Sequence, residues 1–258
     1  MSTYQLHYMS CQQAYDKFEN SVYELVLKKD WLPKSDILPR MAEKIKAKLD
    51  NEEGCFYDDY ALRLNDWHDI PEIAEYAEEV MPFIEENIFS SHLKVQFIHP
   101  YRNIPNAKED SSWIWHYDDN PRAFIKLFVY LTDTQKDNGC LEYLVDKNDD
   151  PVIFPTYRDA PHFMSRPQHF PKSRVPQVEV EKIIQNGGKI KQLEGPAGTT
   201  FVWTPNIVHR ATAPKEGTVP RDAIIYYLRP CLKKQDNFVD ENTYSYLPKH
   251  NVKVYELD

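Results

Sequence analysis

A change of pattern near residue 92 constrains the fold most strongly. Before it, apolar residues recur at the three- and four-residue spacing of amphipathic helices over segments 11–29, 36–49 and 71–89. After it come short runs of β-branched and aromatic residues separated by Pro, Asn, Asp and Gly, which is the pattern of strands joined by turns. Helices followed by many short strands predict an α+β chain, mainly β, whose second part is a β-sandwich or barrel.

The predicted strands divide the chain into recognisable parts. They cover 93–98, 112–116, 123–131, 140–145, 152–154, 189–193, 200–203 and 223–229. Between them, residues 155–188 lack clear periodicity and are rich in Pro, basic and aromatic residues, as in a functional lid or a flexible loop. We therefore predict one catalytic domain over 1–258. In it, a helical part at 1–90 packs on a β core at 92–230, which carries the lid-like insertion, and 231–258 form a C-terminal extension.

Composition excludes several classes of function. The chain has 258 residues, 41% of them hydrophobic, and a formal net charge of -9, and no stretch concentrates Lys and Arg on one face. A nucleic-acid partner is therefore not expected. No apolar run is long enough to span a membrane and no export signal is visible, so no membrane partner is expected. The four cysteines are scattered, which favours reduced thiols and a cytoplasmic location. The oligomeric state cannot be read from the sequence.

The tetrapeptide Trp-His-Tyr-Asp at 115–118 is the first candidate for chemistry. On an extended backbone, the side chains of His116 and Asp118 share a face and can converge on one ion. A second histidine would complete the two-histidine, one-carboxylate arrangement that binds Fe(II) and leaves three positions open. So short a motif also arises by chance, and the alternative is a strand-end histidine hydrogen-bonded to an aspartate in a turn.

Support for a metal site comes from the segment 195–221. It contains a glycine turn, an apolar strand, a further turn and then His209, and Arg221 follows at the head of the apolar run 223–228. A buried arginine is costly unless an anion meets it, and its planar fork suits a carboxylate. The alternative is a surface arginine that pairs with Asp222 or another acid.

The order of these motifs resembles the phytanoyl-CoA dioxygenase-like 2-oxoglutarate oxygenases over residues 92–230. The matching pieces are His-x-Asp, an apolar strand, Asn-Gly-Cys-Leu at 138–141, the glycine-turn strand leading to a histidine, and the arginine. The resemblance implies a double-stranded β-helix, which is a cupin-like jelly roll, with flanking N-terminal helices. It also implies that His116, Asp118 and His209 bind Fe(II) and that Arg221 binds the C5 carboxylate of 2-oxoglutarate.

The same resemblance implies two further residues in the co-substrate site. Phe128 falls where the family often has an aromatic beside 2-oxoglutarate. Many members carry a hydroxyl residue two positions after the second histidine, where this chain has Ala211 followed by Thr212, so Thr212 is the candidate for that role. The chain also departs from the family at 145–150, which replace the usual Gly-Ser-His turn. Both departures concern the co-substrate site and not the ion.

The implied activity is hydroxylation of an aliphatic carbon in a small-molecule substrate. The implied co-substrates are 2-oxoglutarate and O2, and the products of 2-oxoglutarate are succinate and CO2. Related halogenases replace the ligand carboxylate with a small residue, so the presence of Asp118 favours hydroxylation. Two alternatives stay open: a cupin-like metal enzyme that does not use 2-oxoglutarate, and a non-catalytic binding protein with the same fold.

The insertion at 155–188 is locally basic within an acidic protein. It contains Arg158, His162, Arg166, His169, Lys172 and Arg174. A charge run of this kind is commonly a solvated loop. The functional alternative is a lid that contacts an anionic or polar substrate and excludes water.

Overall fold

The architecture is known for most of the chain between residues 27 and 245. A computed structural model describes residues 27–58, 61–89, 92–105, 111–118, 120, 124–154, 170–231, 233–240 and 243–245. Most of the helix predicted at 11–29 lies outside these residues. Its last three positions are described, and there the prediction is wrong, because they form a strand.

Three α-helices are described: α1 (Ile37–Asp50), α2 (Pro71–Ile84) and α3 (Gln177–Gln185). The first two confirm the helices predicted from periodicity, since their apolar faces are buried. Pro71 occupies the first turn of α2, where its missing N–H is not needed. Pro82 lies inside α2, and beyond Ile84 the helix continues as a π-helical turn, Glu85–Phe89.

The strands form two sheets. Their bounds are β1 (Leu27–Lys29), β2 (Cys55–Tyr57), β3 (Ala61–Leu64), β4 (His92–Asn103), β5 (Ile125–Tyr130), β6 (Leu141–Val145), β7 (Lys189–Leu193), β8 (Thr200–Trp203), β9 (His209–Ala211), β10 (Asp222–Cys231) and β11 (Tyr244–Ser245). The larger sheet has the order β1-β8-β5-β10-β4-β3-β2, and β11 pairs in parallel with β4. The smaller sheet has the order β7-β6-β9. This jelly-roll core, which does not close into a barrel, confirms the predicted fold class.

The side-chain alternation of the central strands separates two cores. On β5, Ile125, Leu127 and Val129 point into a cluster with α1 and α2. The intervening positions Phe128 and Tyr130 pack in a second cluster that also includes residues of β6, β7 and β9. The face of the large sheet that carries the second cluster therefore also carries the candidate site.

Several predicted elements differ from the structure. The part predicted as helical also contains β1, β2 and β3, which are three or four residues long and are held by pairing with longer strands. The strand predicted at 112–116 is wrong, because a 3-10 turn, Ser111–Trp113, precedes an isolated bridge at His116. Residues 152–154 form only an isolated bridge.

Part of the predicted lid is regular structure. Helix α3 occupies 177–185, and Val180 is its only buried residue. So narrow an apolar face gives almost no periodic signal, which explains why sequence patterns indicated a loop. Positions 155–169 of this segment, with Arg158, His162, Arg166 and His169, lie outside the described residues.

The composition led us to expect reduced cysteines and no membrane-spanning segment. Cys55, Cys140 and Cys231, the cysteines within the described ranges, are all free thiols. Among the described helices, none combines the length and the apolar character needed to cross a bilayer. A cytoplasmic location stays a prediction.

Candidate metal centre

The structure brings His116, Asp118 and His209 together, although the two histidines are far apart in the sequence. Each residue offers a ligand atom, and these atoms lie within 4.8 Å of one another. The two histidines form an antiparallel bridge in which each backbone N–H donates to the other's carbonyl, at 3.0 Å from His116 and 2.8 Å from His209. The N–H of Asp118 donates to Pro205 O at 3.0 Å and fixes the backbone at the carboxylate.

Backbone carbonyls orient both imidazole rings. Nδ1 of His116 lies 2.8 Å from Ile114 O, and Nδ1 of His209 lies 2.7 Å from Ile207 O. A carbonyl oxygen can only accept a hydrogen bond, so each Nδ1 carries the proton and each Nε2 keeps its lone pair for a metal. Burial lowers the pKa of His116 well below its usual value and that of His209 to about 4. Both rings are therefore neutral at pH 7, which is the form that binds metals.

Lys126 holds the carboxylate of Asp118. Its Nζ donates to Oδ2, while Oδ1 lies 3.8 Å from Nε2 of His116. Burial alone would raise the pKa of Asp118, but the charge of Lys126, and that of the two histidines where they are protonated at low pH, outweigh it and lower that pKa. Burial also opposes the charge of Lys126, and the Asp118 carboxylate outweighs this and raises the lysine pKa. The pair is therefore ionised, with one carboxylate oxygen turned towards the histidines.

These three donors fit iron. Two neutral imidazole nitrogens and one carboxylate oxygen are the set that binds Fe(II) and leaves positions open for other ligands. A structural zinc site would have four donors, commonly with cysteine. Over the described ranges, the cluster has three donors and no thiol.

The three candidate metal ligands line a cavity of about 330 Å³. Arg221, Phe128 and Tyr101 line the same cavity, and so do Lys172 and Arg174. A volume of this size suits a small ligand, since ligand pockets commonly measure roughly 300–1,000 Å³.

Arg221 is buried, and its hydrogen bonding is incomplete. It is 1% exposed, and its Nη2 donates to Tyr101 Oη at 2.7 Å and to Asn103 Oδ1 at 3.0 Å. Its Nε and Nη1 are also buried, and no described residue accepts a hydrogen bond from them. The rings of Tyr101, Phe128 and Tyr130 lie 5.4, 5.5 and 5.9 Å from its Cζ. An arginine with two unmatched buried donors is suited to an anionic ligand.

The alternative reading of Arg221, as a surface residue paired with Asp222, is wrong. Asp222 accepts two hydrogen bonds from Arg102, at 2.6 and 2.7 Å. Arg102 also lies 2.8 Å from an oxygen of Asp50, so one arginine joins two carboxylates away from the cavity. This leaves Arg221 with no carboxylate partner in the described part of the chain.

The other two candidate co-substrate residues differ in position. Phe128 lines the cavity and also stacks on Phe201, with ring centroids 4.8 Å apart, so it belongs to both the core and the cavity wall. Thr212 is not in the cavity wall. Its hydroxyl donates to the carbonyls of Cys140 and Lys136, at 3.0 and 3.1 Å. A co-substrate role for Thr212 stays a prediction that these contacts do not support.

Replacing Thr212 with valine tests this point. The hydroxyl bonds two backbone carbonyls, so the substitution should lower the free energy of unfolding by about 1 kcal/mol. Binding of 2-oxoglutarate should be unchanged, because the side chain does not reach the cavity. Calorimetric titration and chemical denaturation measure the two effects separately. A marked loss of 2-oxoglutarate affinity would instead place Thr212 in the co-substrate site.

Two residues that contact the candidate site residues were not found by the sequence analysis. Lys126 is 6% exposed, and the available signal was a single lysine within the apolar run 124–131. Asn103, which orients Arg221, ends a long strand and carries no motif of its own.

The chain is similar to several known proteins. The profile of the family described as phytanoyl-CoA dioxygenase (PhyH) matches residues 15–221. L-proline trans-4-hydroxylase from Streptomyces griseoviridis is 23% identical over 122 residues, and the match spans 43% of this chain and 46% of that protein's length.

Two solved structures are similar in fold. The non-heme alpha-ketoglutarate-dependent carbocyclase SnoK from nogalamycin biosynthesis superposes with a TM-score of 0.55 at 14% identity, covering 89% of this chain and 96% of its own. HygX from Streptomyces hygroscopicus, solved with nickel, 2-oxoglutarate and hygromycin B, gives 0.52 at 12% identity, covering 82% and 87%. At these identities the likeness is one of fold.

Proposed function

Because the chain belongs to the phytanoyl-CoA dioxygenase family, whose cofactors are iron and 2-oxoglutarate, we propose that it hydroxylates an aliphatic carbon of a small molecule. The co-substrates are 2-oxoglutarate and O2, and the accompanying products are succinate and CO2. One observation carries the proposal: the buried, incompletely bonded Arg221 lines the same cavity as the three metal-binding candidates.

His116, Asp118 and His209 hold the iron in this proposal. The iron, when bound, supplies the activation of O2 and the oxidising power. The protein presents two neutral imidazoles with fixed tautomers and one carboxylate oxygen. Since hydrogen bonds already hold these groups, little reorganisation is needed when the ion binds.

Arg221 binds the C5 carboxylate of 2-oxoglutarate. Its Nε and Nη1 are the donors that Tyr101 and Asn103 leave unused, and a carboxylate can accept from both. The aromatic side chain of Phe128 provides an apolar wall for the methylene groups of the co-substrate. The anion offsets the cost of burying a guanidinium among aromatic rings.

The two alternatives fit the site less well. A metal enzyme without 2-oxoglutarate would keep Arg221 buried with two unmatched donors and no ligand to match them. A non-catalytic protein would have no need of the ionised pair between Asp118 and Lys126, since burying both charges is costly. The relative named L-proline trans-4-hydroxylase favours hydroxylation. A carbocyclase has a similar fold, so the reaction product must be analysed to distinguish hydroxylation from another oxidative outcome.

An anaerobic titration tests the proposal. Addition of Fe(II) and 2-oxoglutarate to the protein without O2 should produce a charge-transfer absorption band in the visible range. His116→Ala should abolish the band, and Arg221→Ala should shift its appearance to much higher 2-oxoglutarate concentration. Lys215→Ala, which changes an exposed ion pair with Asp137, serves as the control. A wild-type protein that binds Fe(II) but gives no band would exclude the use of 2-oxoglutarate.

A further inference from the structure

We propose that His99 is a further co-substrate-binding residue, which donates a hydrogen bond from Nε2 to the C1 carboxylate of 2-oxoglutarate. His99 is buried and lines the cavity that contains the three metal-binding candidates. The inference rests on the proposed function, because the acceptor is the co-substrate that this function requires. No sequence motif contains His99, and its role is visible only in the fold.

Arg63 determines which ring nitrogen of His99 carries the proton. Nη1 of Arg63 lies 3.2 Å from Nδ1 of His99, and both residues are buried. A guanidinium has only donors, so Nδ1 accepts this hydrogen bond and the proton is on Nε2. Burial, followed by the charges of Arg63 and Lys126, lowers the pKa of His99 well below its usual value, which agrees with a neutral ring. Nε2 of His99 is therefore a neutral hydrogen-bond donor.

The guanidinium of Arg63 is itself held in place. Its Nε donates to a carboxylate oxygen of Asp58, and the other carboxylate oxygen accepts the backbone N–H of Ala61 at 2.9 Å. Arg63 lies on β3, opposite Tyr101 of β4, and its Cζ is 5.8 Å from that ring. The hydrogen bond from Arg63 thus keeps the His99 ring in one orientation, with Nδ1 turned towards β3.

Strand register aligns His99 with the co-substrate site. On β4, His99 shares a face with Tyr101, which binds Arg221, and the two ring centroids are 5.0 Å apart. His99 also opposes Ile225 of β10, which in turn opposes Phe128 of β5. Directly opposed residues of antiparallel strands project to the same face, so these three side chains form one row across the sheet.

The row of His99 lies between the two ends of the co-substrate site. The row on one side contains Lys126, which pairs with the metal-ligand candidate Asp118. The row on the other side contains Tyr101, which binds Arg221. Successive rows on one face are two residues apart, which is roughly 7 Å along a strand. A molecule that extends from Arg221 to the metal ligands therefore passes the row of His99.

The C1 carboxylate is the acceptor that best matches this donor. The C5 carboxylate is matched by Nε and Nη1 of Arg221, and the methylene groups between the two ends accept no hydrogen bond. The cation of the neighbouring row, Lys126, already donates to Asp118. A carboxylate is a strong acceptor even for a neutral N–H. Because His99 is neutral, it supplies this hydrogen bond without burying another positive charge beside Lys126.

Nitrogen NMR of the wild-type protein tests the donor directly. The protein contains 15N-labelled histidine and Zn(II), a diamagnetic substitute for Fe(II), and the His99 signals are assigned by their loss in His99→Phe or His99→Gln. We expect the His99 proton on Nε2, and we expect its resonance to move downfield at saturating 2-oxoglutarate. 2-Oxopentanoate, which has a methyl group in place of the C5 carboxylate, should cause the same shift, because it keeps the C1 carboxylate.

Calorimetric titration of the Zn(II) proteins measures what the hydrogen bond contributes. His99→Phe should weaken 2-oxoglutarate binding roughly tenfold or more, because a hydrogen bond to a charged acceptor is lost. His99→Gln should recover much of this loss, since its amide nitrogen provides a donor near the position of Nε2. His68→Phe, which changes an exposed histidine that stacks on Trp67 outside the cavity wall, should bind 2-oxoglutarate like the wild type.

Three results would overturn the role of His99 and leave the proposed function intact. The first is a His99 ring with its proton on Nδ1. The second is equal affinity of wild type and His99→Phe for 2-oxoglutarate. The third is a shift of the Nε2–H resonance by 2-oxoglutarate but not by 2-oxopentanoate, because the acceptor would then be the C5 carboxylate. A wild-type Zn(II) protein that bound no 2-oxoglutarate would overturn the proposed function, and the role of His99 with it.

Discussion

Replacing Asp118 with alanine is expected to abolish iron binding and to destabilise the fold, two effects with separate causes. Iron is lost because one of three donors is removed. Stability falls by about 3–5 kcal/mol because Lys126, which is buried, loses the carboxylate that compensates its charge. Metal analysis after equilibration with Fe(II), and denaturant unfolding of the metal-free protein, measure the two effects.

The double variant Asp118→Ala/Lys126→Met distinguishes the two causes. Methionine fills a similar volume without a charge, so the double variant should recover most of the lost stability. It should still bind no iron, because the ligand carboxylate is absent. If the single variant unfolded at the wild-type denaturant concentration, the carboxylate would not be compensating a buried ammonium, and the described pairing would be wrong.

The sequence predictions were accurate where an element has a local sequence signal, such as helical periodicity or flanking turn residues. Helices α1 and α2 bury broad apolar faces, and their periodicity predicted α1 to within one residue at each end and the start of α2, whose predicted end at 89 is reached only by the π-helical turn. Strands β7 and β8 matched their predicted bounds, since turn residues flank both. The short strands β1, β2 and β3 were missed because a three- or four-residue strand has no periodic signal and forms only by pairing with partners distant in sequence.

The part of the candidate site that could be predicted is the part in which the spacing of residues along the sequence determines where their side chains point. His116 and Asp118 share a face because they are two residues apart, and the family resemblance supplied His209. Lys126 could not be found in this way. Its burial and its contact with Asp118 depend on the loop between them and on the sheet. Arg174 is a similar case, because its position beside His116 is a property of the bridge between distant segments.

Replacing Arg221 with methionine should weaken 2-oxoglutarate binding by about 100-fold or more, while iron binding stays unchanged. Two charge-assisted hydrogen bonds to the C5 carboxylate would be lost from a buried site, which accounts for roughly 3 kcal/mol. Arg221→Lys should recover only part of the affinity, because an ammonium cannot reproduce the planar fork. Calorimetric titration of 2-oxoglutarate into metal-loaded protein measures the loss, and metal analysis confirms the intact centre.

Arg102→Met is the matched control for this prediction. Arg102 lies on β4 between Tyr101 and Asn103, and its side chain pairs with Asp222 and Asp50 outside the cavity. Its loss should lower stability, because buried Asp222 loses its partner, and leave the affinity for 2-oxoglutarate within about twofold of wild type. Tyr101 and Asn103 bind only Nη2 of Arg221, and in the described fold Nε and Nη1 have no hydrogen-bond partner, so both are available to a ligand. An Arg221→Met protein that bound 2-oxoglutarate normally would therefore remove the observation on which the oxygenase proposal rests.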